Sequence, residues 1–202
     1  MIRMWHEYSI SFAILITMEK LYDTLKIGAR IARGGDRTVY WYGENHVIKF
    51  SSIPYVVGSR MSEKMSRDYA LCKKYFGDYI VETVLIDQDG GRRHIEIQPY
   101  IHGENLHRAH LKIKGVRMQL ETIATAMQIM EKDGYAPIDL IGISGLFHMR
   151  FCNIFVDEHN NLRIFDTTLL EGSSVGFLGV LVTPLFWLAT MRQRYVMKNF
   201  LK

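Results

Sequence analysis

Three residues of this chain have types and settings that could do chemistry together. Asn153 opens and Asp166 closes a segment in which the apolar runs Ile154-Phe155-Val156 and Leu162-Arg163-Ile164-Phe165 flank the polar turn Asp157-Glu158-His159-Asn160-Asn161. That pattern predicts a tight hairpin with an amide and a carboxylate at its open end, where both can reach one cation. A hard cation such as Mg²⁺ takes a few protein oxygens and keeps the rest of its shell for water and phosphate, which suits one Asp with one Asn. Asn and Asp are also ordinary residues at strand ends, so the bland reading stands beside the chemical one.

Lys49 raises the weight of the chemical reading. Val47-Ile48-Lys49-Phe50 sets a lysine inside an apolar strand, where a buried ammonium is costly unless an anion meets it. A phosphate would meet it; an edge-strand lysine reaching solvent is the alternative. Upstream, Gly34 and Gly35 sit at a strand-turn-strand, Ala32 to Val39, where backbone N–H groups can approach an anion closely.

The elements that must position these residues are legible in outline. Ile27 to Ala32, Thr38 to Tyr42 and His46 to Phe50 read as strands of a meander. Met61, Met65, Tyr69, Cys72 and Phe76 recur at helical spacing, and the strands Ile80 to Asp87 and His94 to Tyr100 follow. Beyond Gly103 the character changes, and Val116, Leu120, Ile123, Met127 and Met130 mark a helix in a second, mainly helical unit. The fold class expected is α+β.

The order of these parts resembles the protein-kinase-like superfamily, including its short bacterial relatives and the small-molecule phosphotransferases. The resemblance runs from about Ile27 to Thr168 and lies in order and spacing. It implies two lobes in a single domain, a small antiparallel β-rich N-lobe with one helix (about 19–101) and a truncated C-lobe (102–202), with 1–18 as an extension. It also implies ATP and Mg²⁺ (or Mn²⁺) as ligands, with Gly34 and Gly35 in the loop over the phosphates, Lys49 on the phosphates, and Asn153 and Asp166 on the metal. Asn153 and Asp166 are 13 residues apart, as in many protein kinases. Asp68, 19 residues after Lys49, falls where a helix acid orients the lysine, with Glu63 as substitute. Gln98 and Tyr100 lie in a stretch resembling the adenine-holding hinge, and Glu104 is the ribose candidate.

Departures from that pattern set the alternatives. Five residues before Asn153, where the family has its catalytic Asp, stands His148. Asp139, in Asp139-Leu140-Ile141-Gly142, resembles the catalytic stretch of some short relatives, and residues 145–152 would then be an insertion. Either Asp139 or His148 accepts the hydroxyl proton, or the chain is a pseudokinase that binds nucleotide or acts as a scaffold. Asp166-Thr167-Thr168 lacks the glycine of the family's regulated motif, and 36 residues follow Asp166. The implied reaction is transfer of the ATP γ-phosphate to a hydroxyl, a protein Ser or Thr first and a small molecule second.

The remaining sequence sets bounds. Twenty-five Lys and Arg against 21 Asp and Glu give a mild, scattered positive excess that suits phosphate ligands and marks no nucleic-acid partner. Cys72 and Cys152 read as free thiols of a reducing compartment, and a cytoplasmic location follows from this reading, with secretion or membrane association as alternatives. Ile10 to Met18 lacks the cleavage site of a signal peptide. Val175 to Met191, broken by Thr183 and Pro184, is expected to form a buried helix pair; membrane contact through it, with Arg192, Arg194, Lys198 and Lys202 following, is the minor reading.

Overall fold

The structure, a computed structural model, describes residues 22–33, 37–51, 61–88, 90–91, 93–137, 140–144, 148–172 and 177–202. Strands β1 (Ile27–Arg33), β2 (Arg37–Tyr42) and β3 (His46–Ser51) form the meander. Helix α1 (Met61–Phe76) comes next, then β4 (Val84–Gln88) and β5 (Arg93–Pro99). The strands make one antiparallel sheet in the order β1-β2-β3-β5-β4. The turn from β2 to β3 needs a left-handed residue, and Gly43, at φ 62°, supplies it without steric penalty.

Strand alternation gives this sheet two different faces. Ile48, Ile86 and Ile95 are buried on one, with Tyr40, Tyr42, Phe50 and Ile97 packed around them. The pairings Val39↔Lys49 and Lys49↔Glu96 put the other parity on the opposite face. There the row is polar: Arg37, Lys49, Glu96, His94 and Gln98.

The second part carries β6 (Gly103–Asn105), α2 (Lys114–Lys132), β7 (Tyr135–Pro137), β8 (Ile141–Ser144) and β9 (His148–Phe151). After these come β10 (Ile154–Asp157), β11 (Leu162–Ile164), β12 (Leu169–Glu171) and α3 (Phe177–Leu201). The sequence predicts a mainly helical unit here; among the described residues it holds two α-helices and seven short strands. The chain is α+β as expected, with fewer helices than the pattern suggested.

The predicted stripe of α2 is fully buried, with Val116, Leu120, Ile123 and Met130 at 0% exposure and Met127 at 3%. It packs in one cluster with Cys72 and Phe76 of α1, Phe151, Ile154, Leu162 and Ile164. Each such side chain contributes roughly 1.5–3 kcal/mol by burial. Helix α1 is therefore held by the second part's core more than by the small cluster on the sheet's far face.

At the C-terminus the expected helix pair is replaced by one helix, α3, which runs through Pro184. Proline removes one helical hydrogen bond without ending the helix when packing supplies the rest. Val196 and Met197 anchor that packing, while Trp187, Leu188 and Met191 are exposed, so the end of the stretch is not buried as expected. No helix among the described residues is long and apolar enough to cross a membrane.

Candidate nucleotide and metal site

The hairpin forms as predicted. β10 pairs with β11 through Ile154↔Ile164, Phe155↔Arg163 and Val156↔Leu162. Asp157 organises its turn, accepting N–H bonds from His159 at 3.0 Å and Asn161 at 2.7 Å, with Arg163 Nε at 3.1 Å. Burial alone would raise the Asp157 pKa; these donors outweigh it and hold the carboxyl below its ordinary value. At the open end, the Phe165 N–H donates to the Asn153 carbonyl at 3.2 Å, so Asn153 pairs with the residue that precedes Asp166.

Across from this end stands the sheet's polar row. Lys49 Nζ lies 3.5 Å from Glu96 Oε2, and Arg37 Nη1 lies 3.0 Å from Glu96 Oε1. His94 Nε2 is 3.0 Å from the same Oε1. Burial lowers the Lys49 pKa against the pull of Glu96. For Glu96 burial acts to raise the pKa, but the His94 hydrogen bond and the two cations outweigh it and bring the carboxyl down to about 2. The anion that meets the buried lysine is thus a carboxylate of the neighbouring strand.

Two contacts close sheet and hairpin on each other. Lys49 Nζ sits 5.9 Å from the centroid of the Phe165 ring, and Arg37 Nη1 is 3.7 Å from Asp166 Oδ2. Asp166 Oδ1 accepts the Thr168 N–H at 3.0 Å and its hydroxyl at 2.9 Å. Lys49 and Asp166, distant in sequence, are therefore brought close together, and Asn153 pairs with Phe165 between them.

Other expected residues fall elsewhere. Asp68, proposed to orient Lys49, is 1% exposed and engaged on its own side: it pairs with Lys64 and accepts the Leu169 N–H at 3.1 Å. Burial pushes its pKa up, with Lys64 pulling the other way. The helix acid's expected place beside Lys49 is taken by Glu96, because β5 is adjacent to β3 and reaches across one strand spacing. Gln98 is 2% exposed, and its amide donates to Thr83 Oγ1 at 2.8 Å and to the Phe165 carbonyl at 3.3 Å. It braces the hairpin against the sheet. The Tyr100 N–H donates to the Asn45 carbonyl at 2.8 Å, and its ring lies against Trp41 at 4.4 Å. Glu104, exposed on β6, accepts a hydrogen bond from His110 Nε2 at 2.9 Å, the His110 Nδ1 being the acceptor of the His107 N–H.

Gly34, Gly35 and Asp139 lie outside the described residues. The stretch read as an insertion, 145–152, contains β9, which pairs back on β8 just before it, registered Ile141↔Phe151 through Ser144↔His148. Its feet meet where the Cys152 N–H donates to the Leu140 carbonyl at 3.1 Å. The residue after Asp139 is therefore beside the residue before Asn153. His148 stands at the hairpin's far end, three residues from Phe151 and so about 10 Å along the strand.

Residues missed in the sequence are Glu96, His94 and the pairing role of Arg37. Their signal was present: His94-Ile95-Glu96-Ile97-Gln98 alternates polar and apolar, and a carboxylate at matching register answers the lysine of an adjacent strand. Among the described residues no group of three or more His, Cys, Asp and Glu could hold a metal. One Asp and one Asn fit Mg²⁺ only where phosphate and water complete the shell, the manner in which this ion is usually held.

No protein-family model matches the chain, and no curated protein matches it either. Among solved structures it is similar to the kinase PK-1 of Cydia pomonella granulovirus, at 13% identity and a TM-score of 0.49, over 75% of this chain and 54% of that one. The chain thus spans about half that kinase's length.

Proposed function

We propose that the chain is a kinase-like phosphotransferase that binds ATP with Mg²⁺ and passes the γ-phosphate to a hydroxyl, a protein Ser or Thr before a small molecule. The observation that supports this reading is the closeness of a buried lysine on the sheet to Phe165, at the open end of the hairpin whose flanking residues are Asn153 and Asp166. Lys49 would neutralise phosphate charge, and Asn153 with Asp166 would hold the ion. Mg²⁺, when bound, supplies charge neutralisation to the phosphoryl group in flight. Asp139 is the residue we assign to accept the hydroxyl proton, since its neighbour Leu140 is bonded to Cys152, beside Asn153. His148 is carried to the far end of its hairpin and is the weaker choice.

A second reading, nucleotide binding without turnover, is favoured by one contact. Both oxygens of Asp166 already face protein donors, Thr168 on one and Arg37 on the other. The test for both is Asp166→Asn, which keeps shape and removes the charge that holds the ion. Stabilisation by Mg²⁺-ATP should weaken and labelled phosphate transfer into lysate proteins should drop by orders of magnitude. A parent protein that binds Mg²⁺-ATP but transfers nothing selects the second reading; an Asp166→Asn variant indistinguishable from the parent in both assays removes the metal assignment.

A further inference from the structure

Arg37 opens β2, and the phosphoryl-transfer chemistry described above gives it no task. Its side chain is 13% exposed and bridges two carboxylates, with Nη1 at 3.0 Å from Glu96 Oε1 and 3.7 Å from Asp166 Oδ2. Since Thr168 engages Oδ1, Oδ2 is the oxygen of Asp166 turned to the guanidinium. Lys49 holds the other oxygen of Glu96. Two cations thus meet two carboxylates, and the group is neutral as it stands. A divalent ion added at Asp166 would leave it with two excess positive charges in a site largely closed to water. Only a polyanion arriving with the ion offsets that.

We propose that Arg37 is the resident cation of the nucleotide site: it occupies Asp166 Oδ2 in the unliganded protein, excludes a bare divalent ion, and moves to the phosphates when a nucleotide arrives, releasing Asp166 to the metal. This deepens the nucleotide reading and rests on it. The chemistry suits arginine, whose planar fork can leave a 3.7 Å ion pair with a carboxylate oxygen for a charge-assisted bond to a phosphate oxygen. Glu96 retains the guanidinium during the exchange, so the movement is a pivot about that bond. Metal and nucleotide then bind together or nucleotide first, never metal alone.

The test uses the full chain and two titrations. Mn²⁺ alone is followed by water-proton relaxation, and ATP in excess EDTA by calorimetry, for the parent and for Arg37→Gln. The parent should show no Mn²⁺ binding without nucleotide and should bind ATP without metal. Arg37→Gln should bind Mn²⁺ alone, and bind metal-free ATP about tenfold or more weakly, the loss expected for a charged hydrogen bond. Mn²⁺ binding to the nucleotide-free parent as tightly as to the variant overturns the assignment of Arg37 and leaves the nucleotide reading intact. ATP that binds the parent neither with nor without Mn²⁺ removes the nucleotide reading and this inference with it. The parent arm requires no substitution, so a variant that fails to fold does not shelter the proposal.

Discussion

Glu96→Gln should cost the protein about 3 kcal/mol, because it removes the carboxylate that both Lys49 and Arg37 face. The magnitude follows from the carboxyl itself, whose pKa is brought from an ordinary 4.5 to about 2. At ~1.36 kcal/mol per pKa unit this corresponds to about 3 kcal/mol of preference for the charged form in the fold. Glu96 is 2% exposed, so solvent screening takes little away. The figure agrees with the roughly 3–5 kcal/mol lost when one partner of a buried pair is removed. Because the folded pKa is depressed, this stabilisation is fully present above the ordinary glutamate pKa and is lost as pH falls from 4.5 through about 2. Urea unfolding from pH 7 to pH 3 measures it directly. The parent should lose stability across the acid limb, and the variant should start lower and lack that component. In a thermal scan the difference at pH 7 amounts to roughly 6–12 °C for a domain of this size. A variant within about 1 kcal/mol of the parent at pH 7, with the same acid limb, would refute the reasoning.

Lys49→Met should weaken nucleotide binding about tenfold or more while costing less stability than Glu96→Gln, since Glu96 keeps Arg37 and His94; calorimetry and urea unfolding separate the two effects. Asp68→Ala leaves the Leu169 N–H without its acceptor and should destabilise by about 3 kcal/mol in urea unfolding, with nucleotide affinity per folded molecule reduced because the segment after Asp166 loosens. Gly103→Ala would set a Cβ 2.3 Å from the Val156 carbonyl oxygen, so β6 must leave β10; loss of amide protection at residues 103–106 and a penalty of at least about 1–3 kcal/mol are expected.

The sheet, the two amphipathic helices and the hairpin were legible because each is written in period-two or helical alternation, and Ile48, Ile95, Leu120 and Ile123 take the buried places that alternation demands. The partner of Lys49 was not. Spacing along the chain pointed to Asp68, yet the lysine's neighbour is decided by strand order, and the crossover that seats β5 beside β3 leaves no local mark. Gln98 illustrates the same gap. Its position suggested a ligand contact, whereas pleat parity turns its amide inward to the Phe165 carbonyl. Pro184 misled for another reason: it signals a break, but the helix runs through it.

These same contacts decide what helix α1 can influence. Three of its side chains reach the backbone that follows Asp166: Asp68 accepts the Leu169 N–H at 3.1 Å, Lys64 donates to the Leu169 carbonyl at 3.0 Å, and the Cys72 thiol lies 3.6 Å from the Thr167 carbonyl. Burial pushes the Cys72 thiol pKa far up, so it stays protonated and keeps its hydrogen to donate. Lys49, by contrast, takes its acid from within the sheet. A shift of α1 would therefore carry the Thr167 to Leu169 backbone with it. Thr167 and Thr168 fit that arrangement, since a segment bonded on both sides to a packed helix has little use for a glycine's freedom to flip. The helix works as a clamp on the segment after Asp166, and Lys49 takes its acid from the sheet.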